Sequence, residues 1–213
     1  MMPLKTATLR RFAVIALFAV CHAHLRAQLP YNPAFDQPAT PQAAQWFSAA
    51  TYAECQVLQQ YNPAIHNCGI DALYRNPTLQ AWGLTQPGPG LQTVTRYSPA
   101  PLTQILNTYG ATAVFFILAH EAGHHFDLQF QGAAVPWGSI VYPPMPGVPL
   151  VFSANWTLEL RADAWGGCAV KRTGNSIAPV AALQMITANI ENNPDVPPVQ
   201  YVQLAIQAGY NAC

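Results

Sequence analysis

Ala111-Thr-Ala-Val-Phe-Phe-Ile-Leu-Ala-His-Glu-Ala-Gly-His-His-Phe126 is the stretch from which the rest of the chain is read. Its first half is apolar on all sides, which predicts a helix buried at the centre of a domain. At the end of that run His120 and His124 stand four residues apart. One helical turn separates them, so both imidazoles share a face and can reach one zinc ion. Glu121, between them, is placed as the general base for a zinc-activated water. The spacing predicts a helix over 111–130, closed by Gly132. A membrane span is the rival reading of so apolar a run, but His120 arrives after nine residues from Ala111, well short of the ~20 that a span requires.

A catalytic zinc takes three protein ligands and keeps a fourth position open. A three-histidine site would need glycine at 127 and histidine at 130. Asp127 and Phe130 stand there and exclude it. Past residue 27, His66 is the only histidine outside the motif, and it reads as a loop residue beside Asn67-Cys68. Asp36, Glu54, Asp71, Glu191 and Asp195 read as carboxylates on turns or polar helix faces. Glu159 and Asp163 differ from these. They lie i and i+4 on one predicted helix, flanked by Trp156, Leu158, Leu160, Ala162, Ala164 and Trp165, which leave little exposed face. A half-buried carboxylate pair calls for a cation.

Together, His120-Glu-Ala-Gly-His-His125 and Glu159-Leu-Arg-Ala-Asp-Ala-Trp-Gly-Gly167 resemble the bacterial neutral zinc metallopeptidases of the glutamate-zincin group. Those proteins carry His-Glu-x-Gly-His-His followed by Glu-Leu-Gln-Ala-Asp-x-x-Ala-Gly. The likeness spans roughly residues 97–172. It implies Glu159 as the third zinc ligand and Asp163 as a carboxylate behind the ligands. In that role Asp163 would accept the free ring N–H of a ligating histidine and fix its tautomer. Among the departures from the pattern, Asp127 and Arg161 each stand where the family has glutamine. His125 is turned ~100° from His124 around the helix and is assigned to packing. Gly123 costs about 1 kcal/mol relative to alanine in mid-helix, and close approach of the Glu159 helix is the expected compensation.

The remainder of the chain fits an exported domain. Lys5, Arg10 and Arg11 precede the apolar run Phe12–Val20, and small residues follow, with Ala23 and Ala27 as cleavage candidates. That layout predicts a signal peptide over 1–27 and a single domain over 28–213, secreted or periplasmic. Four of the nine basic residues precede residue 28 and none of the nine acidic ones does. The exported part is therefore acidic, with no nucleic-acid footprint and no stable membrane span. Cys55, Cys68, Cys168 and Cys213 remain, an even number that predicts two disulfides. Cys55–Cys68 and Cys168–Cys213 are the favoured pairs, one closing a local loop and the other holding the C-terminus.

Residues 28–41 hold four prolines and read as an extended leader. Pro41–Tyr61 has helical period, with Thr40 as N-cap and Pro41 at the first position. A shorter helix is predicted over Asp71–Trp82, redirected at Asn76-Pro77, and a turn at Gln86–Gly90. Leu91–Tyr97 alternates and is rich in Thr, Val and Tyr, the best strand in the chain. It could be an edge that pairs with a substrate backbone, or it could only close a small sheet. Helices are predicted over Pro101–Thr108, Ser153–Lys171, Ile177–Ile190 and Val199–Ala208. Between 133 and 152 lies a proline-rich loop of the length often used as a lid.

The expected fold is mainly α with a small β element, a zincin-like core. The expected activity is hydrolysis of peptide or protein substrates, with Zn2+ on His120, His124 and Glu159. Two alternatives stand beside it: a non-enzymatic exported module in which zinc staples helices, and a zinc amidase acting on cell-wall peptides. Tyr97, Tyr142, Arg161 and His66 are the candidates for stabilising an oxyanion.

Overall fold

The computed structural model describes residues 32–69, 71–88, 92–130, 133–145, 148, 152–181 and 197–213. The expected signal peptide over 1–27, Gly132, most of the predicted 177–190 helix, Glu191 and Asp195 lie outside the described residues.

Helices dominate. The first, α1 (Pro41–Tyr61), begins where the sequence places it. The Thr40 hydroxyl accepts the N–H of Ala43 at 3.3 Å, and Pro41 occupies a position whose N–H has no helical partner anyway. It buries Ala43, Phe47, Ala50, Val57 and Leu58. Then follow α2 (Pro99–Tyr109), α3 (Ala111–Gln129), α4 (Ala154–Arg172) and α5 (Val199–Ala212). Gly110 breaks α2 from α3 at φ +84°, a conformation that suits glycine. The Ser153 hydroxyl caps α4 by accepting the N–H of Trp156 at 3.2 Å.

α3 is the centre of the domain, with Ala113–Ala119 buried throughout. Its main partner is α4. Gly123 faces Ala162 and Trp165, and Gly166 faces Phe116 and the backbone of His120, so the two helices run antiparallel. A Cβ at 123 would come 2.7 Å from Trp165 Cβ, and one at 166 would come 2.8 Å from the Phe116 ring. Neither position has room for a side chain. The weak helix formers are what let the two backbones meet.

The sheet has four strands in the order β1 (Gln37–Pro38), β2 (Asp71–Arg75), β4 (Thr93–Tyr97), β3 (Gly83–Pro87). β2 and β4 are parallel, with Asp71 opposite Thr93; β3 runs antiparallel to β4, with Thr85 opposite Thr95. Three expectations are corrected here. Residues 71–82 are not helical. Pro77 leaves too few residues for a stable helix, and Asp71–Arg75 instead pairs along β4, with the Asn76 N–H donating to the Tyr97 carbonyl at 2.8 Å. β4, considered as a possible edge, is an inner strand with all five residues buried. The outer strands are β1 and β3, and the Pro-Gly cluster after Gln86 disguised β3 as a turn. Pro87 is tolerated there because an outer strand can spare an N–H.

Asp36 and Glu54 also depart from expectation, being only 2% and 0% exposed. Asp36 takes a forked contact from Arg96, with Nε to Oδ1 at 2.9 Å and Nη2 to Oδ2 at 2.8 Å. Asn76 donates to the same carboxylate at 3.0 Å, and Arg96 Nη1 donates to Gln86 on β3 at 2.8 Å. The segment ahead of α1, expected to run over the surface, is thus fastened into the sheet.

Both favoured disulfides are present, Cys55–Cys68 and Cys168–Cys213. From the 13- and 45-residue separations they close, chain entropy gives about 3 and about 4 kcal/mol respectively. Among the described residues no helix is long and apolar enough to cross a membrane.

Candidate metal centre

The antiparallel seam between α3 and α4 sets the site. His120 and His124 rise one turn apart from α3, and Glu159 comes from the first turns of α4. His120 Nε2 and His124 Nε2 lie 3.2 Å apart. Glu159 Oε2 is 3.2 Å from the first, and Glu159 Oε1 is 3.5 Å from the second. Donors bound tetrahedrally at 2.0–2.1 Å from zinc are separated by about 3.3 Å. The three side chains therefore form one group that could hold a metal ion.

The hydrogen bonding fits the same occupant. Asp163 Oδ1 lies 2.9 Å from His120 Nδ1, which places that ring's proton on Nδ1 and leaves the Nε2 lone pair directed at His124. Two imidazole nitrogens and a carboxylate converging at this distance call for a shared proton or a metal ion among them. Electrostatics point the same way. Burial disfavours a charged His120, yet the carboxylates of Asp163 and Glu159 outweigh it and hold its pKa well above the usual histidine value. Glu159 moves the other way: burial raises it, but both histidines together hold it far below the usual carboxylate range. Asp163 is pushed up by burial, against the pull of His120. The pocket concentrates negative potential on two imidazoles, with no lysine or arginine bonded to Glu159 or Asp163 among the described contacts.

Glu121 is next to this group but bonded elsewhere. It is 7% exposed, and burial raises its pKa against the opposing pull of His124, His120 and Thr85. Its Oε2 accepts a hydrogen bond from Thr85 Oγ1 on β3 at 2.9 Å. Thr85 was not among the residues singled out from sequence, and neither was Gly83, where a Cβ would come 2.6 Å from Glu121 Cδ. Reading Gly83–Pro87 as an edge strand would have been the signal, and the adjoining Pro-Gly cluster concealed it.

Asp127 and Arg161 meet in space. Arg161 Nε donates to Asp127 Oδ1 at 2.8 Å. The pair ties α3 to α4, and its salt bridge involves none of His120, His124 and Glu159. Burial, against Arg161 and the two histidines, keeps the pKa of Asp127 raised.

His125 is fully buried, with Nε2 against the carbonyl of Cys68, and it packs on Phe126 and Phe130. Among the oxyanion candidates, the Tyr97 hydroxyl accepts the N–H of Thr40 at 3.1 Å. His66 lines a groove beside α1 with Tyr52 and Gln59, outside the metal group. Arg161 is held by Asp127. Tyr142, on the proline-rich loop, packs against Phe152 and Tyr201. Burial and then the charge of Asp163 push its pKa up to about 12.

The fold and the site together define a mainly helical protein with a His-His-Glu group able to hold a metal ion. No family model, no curated protein and no solved structure matches this chain.

Proposed function

We propose that this chain is an exported zinc metallopeptidase with a zincin-like core. The observation that carries the reading is the set of separations at His120, His124 and Glu159, 3.2, 3.2 and 3.5 Å, with Asp163 behind His120 and Glu121 alongside. Three protein ligands suit a catalytic zinc better than a closed structural one, which uses four. The Glu159 side chain is 43% exposed, so the group is reachable from outside, as a site for substrate must be. This exposure also favours the peptidase reading over the zinc-staple alternative.

A bound zinc ion supplies polarisation of the scissile carbonyl and acidifies water toward neutral pH. The chain's own groups supply the proton handling. Glu121 takes the proton of the attacking water and passes it to the departing amine nitrogen, which must be protonated to leave. Asp163 keeps the His120 ring in the tautomer whose Nε2 is free.

β3 supports recognition of an extended peptide. Trp82 pairs with Ser98 and Gly88 with Gln92 by backbone hydrogen bonds. Antiparallel pairs alternate, so residues 84 and 86 bond to β4 while the N–H and C=O groups of Gly83 and Thr85 face outward. A substrate strand can add to that edge, within reach of Glu121.

Glu121→Gln is the test. We expect about one zinc retained per chain and hydrolysis of an unfolded protein substrate reduced on the order of 100-fold or more. Undiminished hydrolysis would refute the mechanism.

A further inference from the structure

Gly83 and Thr85 are two apart on β3, so they share one face of the strand, and that face is turned to Glu121. At 83 the missing Cβ leaves the space in which the carboxylate sits, since an added Cβ would lie 2.6 Å from its Cδ. At 85 the hydroxyl reaches Glu121 twice, at 2.9 Å from Oε2 and 2.9 Å from the backbone oxygen. A threonine hydroxyl has one proton, so what decides its direction matters. Thr95, fully buried on β4, lies opposite Thr85 with their Oγ1 atoms 2.9 Å apart. When Thr95 donates to Thr85, the Thr85 proton is left for Glu121.

We propose that Thr85 is the positioning residue for Glu121: its hydroxyl, oriented by Thr95, fixes where the base carboxylate stands, in space that Gly83 keeps clear. The inference rests on the reading of Glu121 as general base. A glutamate has three side-chain torsions and swings freely unless something holds its end. A proton acceptor displaced by about 1 Å loses on the order of 100-fold in rate. The arrangement also has a geometric economy. The backbone groups of Gly83 and Thr85 face the open edge where a substrate strand would add, while the side chain of Thr85 holds the base. One residue thereby references the base to the substrate backbone, and neither can shift along β3 without the other.

The test uses the folded, disulfide-bonded chain with Thr85→Val, Thr85→Ser, Gly83→Ala and Glu121→Gln, measuring kcat, KM and zinc per chain. Thr85→Val should lose on the order of 10- to 100-fold in kcat, with KM and zinc content unchanged, and Thr85→Ser should restore most of the rate. Gly83→Ala should reproduce the kcat loss by displacing the carboxylate, and it decides the matter if Thr85→Val does not fold. A second readout needs no activity. After removal of metal by chelator, Thr85→Val and Glu121→Ala should shift the denaturation midpoint non-additively, because the two groups touch. If Glu121→Gln stays active, the peptidase reading fails and takes this inference with it. If Glu121→Gln is inactive while Thr85→Val or Gly83→Ala turns over at the wild-type rate, Thr85→Ser is no better than Thr85→Val, or the midpoints add, the positioning role alone is overturned.

Discussion

Two clusters of buried charge differ in where their cation comes from. Around Asp36 the chain brings its own: Arg96 forks onto the carboxylate, Asn76 adds a third donor, and Gln86 accepts from the guanidinium Nη1. Around His120 the chain assembles two carboxylates and two imidazoles, and Arg161, which lies between Glu159 and Asp163 on α4, is bonded to Asp127 instead. A buried charge without a partner is costly, so a folded domain either completes such a cluster internally or leaves it to be completed from solution. The first cluster is a fastening. The second is a group that could hold a metal ion.

The largest expected effect separates them at the second. Glu159→Ala should lower zinc affinity by more than the 10- to 100-fold typical of losing a residue behind a ligand, read by titration against a chelating dye. It should leave the Asp36 cluster intact. Unchanged zinc content would move the third ligand elsewhere, with Asp163 next in line. At the fastening, Arg96→Met strands the Asp36 carboxylate in the interior and should cost about 3–5 kcal/mol by denaturant unfolding, while folded molecules still bind one zinc. Loss of zinc binding in well-folded Arg96→Met would mean the clusters are coupled, and the comparison would fail.

The smallest effect concerns pH. Burial raises the Asp36 pKa, but the contacts from Arg96, Asn32 and Asn76 outweigh it and leave the carboxyl below its ordinary value. A depressed folded pKa means the unfolded chain binds the proton more readily. The stabilisation is therefore complete above the unfolded value of about 3.9 and is lost as pH falls through the folded one. In Asp36→Asn the fall in unfolding midpoint below pH 4 should be shallower than in wild type. An identical slope would assign the acid sensitivity to other carboxylates.

The sequence was most legible where one helix carries its own pattern. His120, Glu121 and His124 are separated by fixed turns of α3, and Glu159 and Asp163 by one turn of α4, so spacing alone grouped each set. Thr40-Pro41 likewise announced the start of α1, and the cysteine pairs were favoured because one closes a short local loop and the other holds the C-terminus. What stayed hidden depends on partners distant in sequence. Asp71–Arg75 has no local feature that outweighs a helical reading; its strand exists because β4 is buried and needs a neighbour. Asp36 resembles any loop aspartate until Arg96, sixty residues on, is brought to it. Thr85 is an ordinary threonine until β3 is laid across α3.

The seam between α3 and α4 has a bearing on which ions the protein accepts. With Gly123 against Ala162 and Trp165, and Gly166 against Phe116, the helices already meet with little between them, and packed interiors compress and dilate poorly. Ligands mounted on such a frame hold a small, fixed opening. Calcium, which takes six to eight oxygens at 2.3–2.6 Å, would have to prise the helices apart and would find two nitrogens where it prefers oxygen. A four-coordinate ion needs no such movement. On the proposed metal role, selectivity among cations would be set partly by positions that touch no metal at all, the places on two helices where no side chain was put.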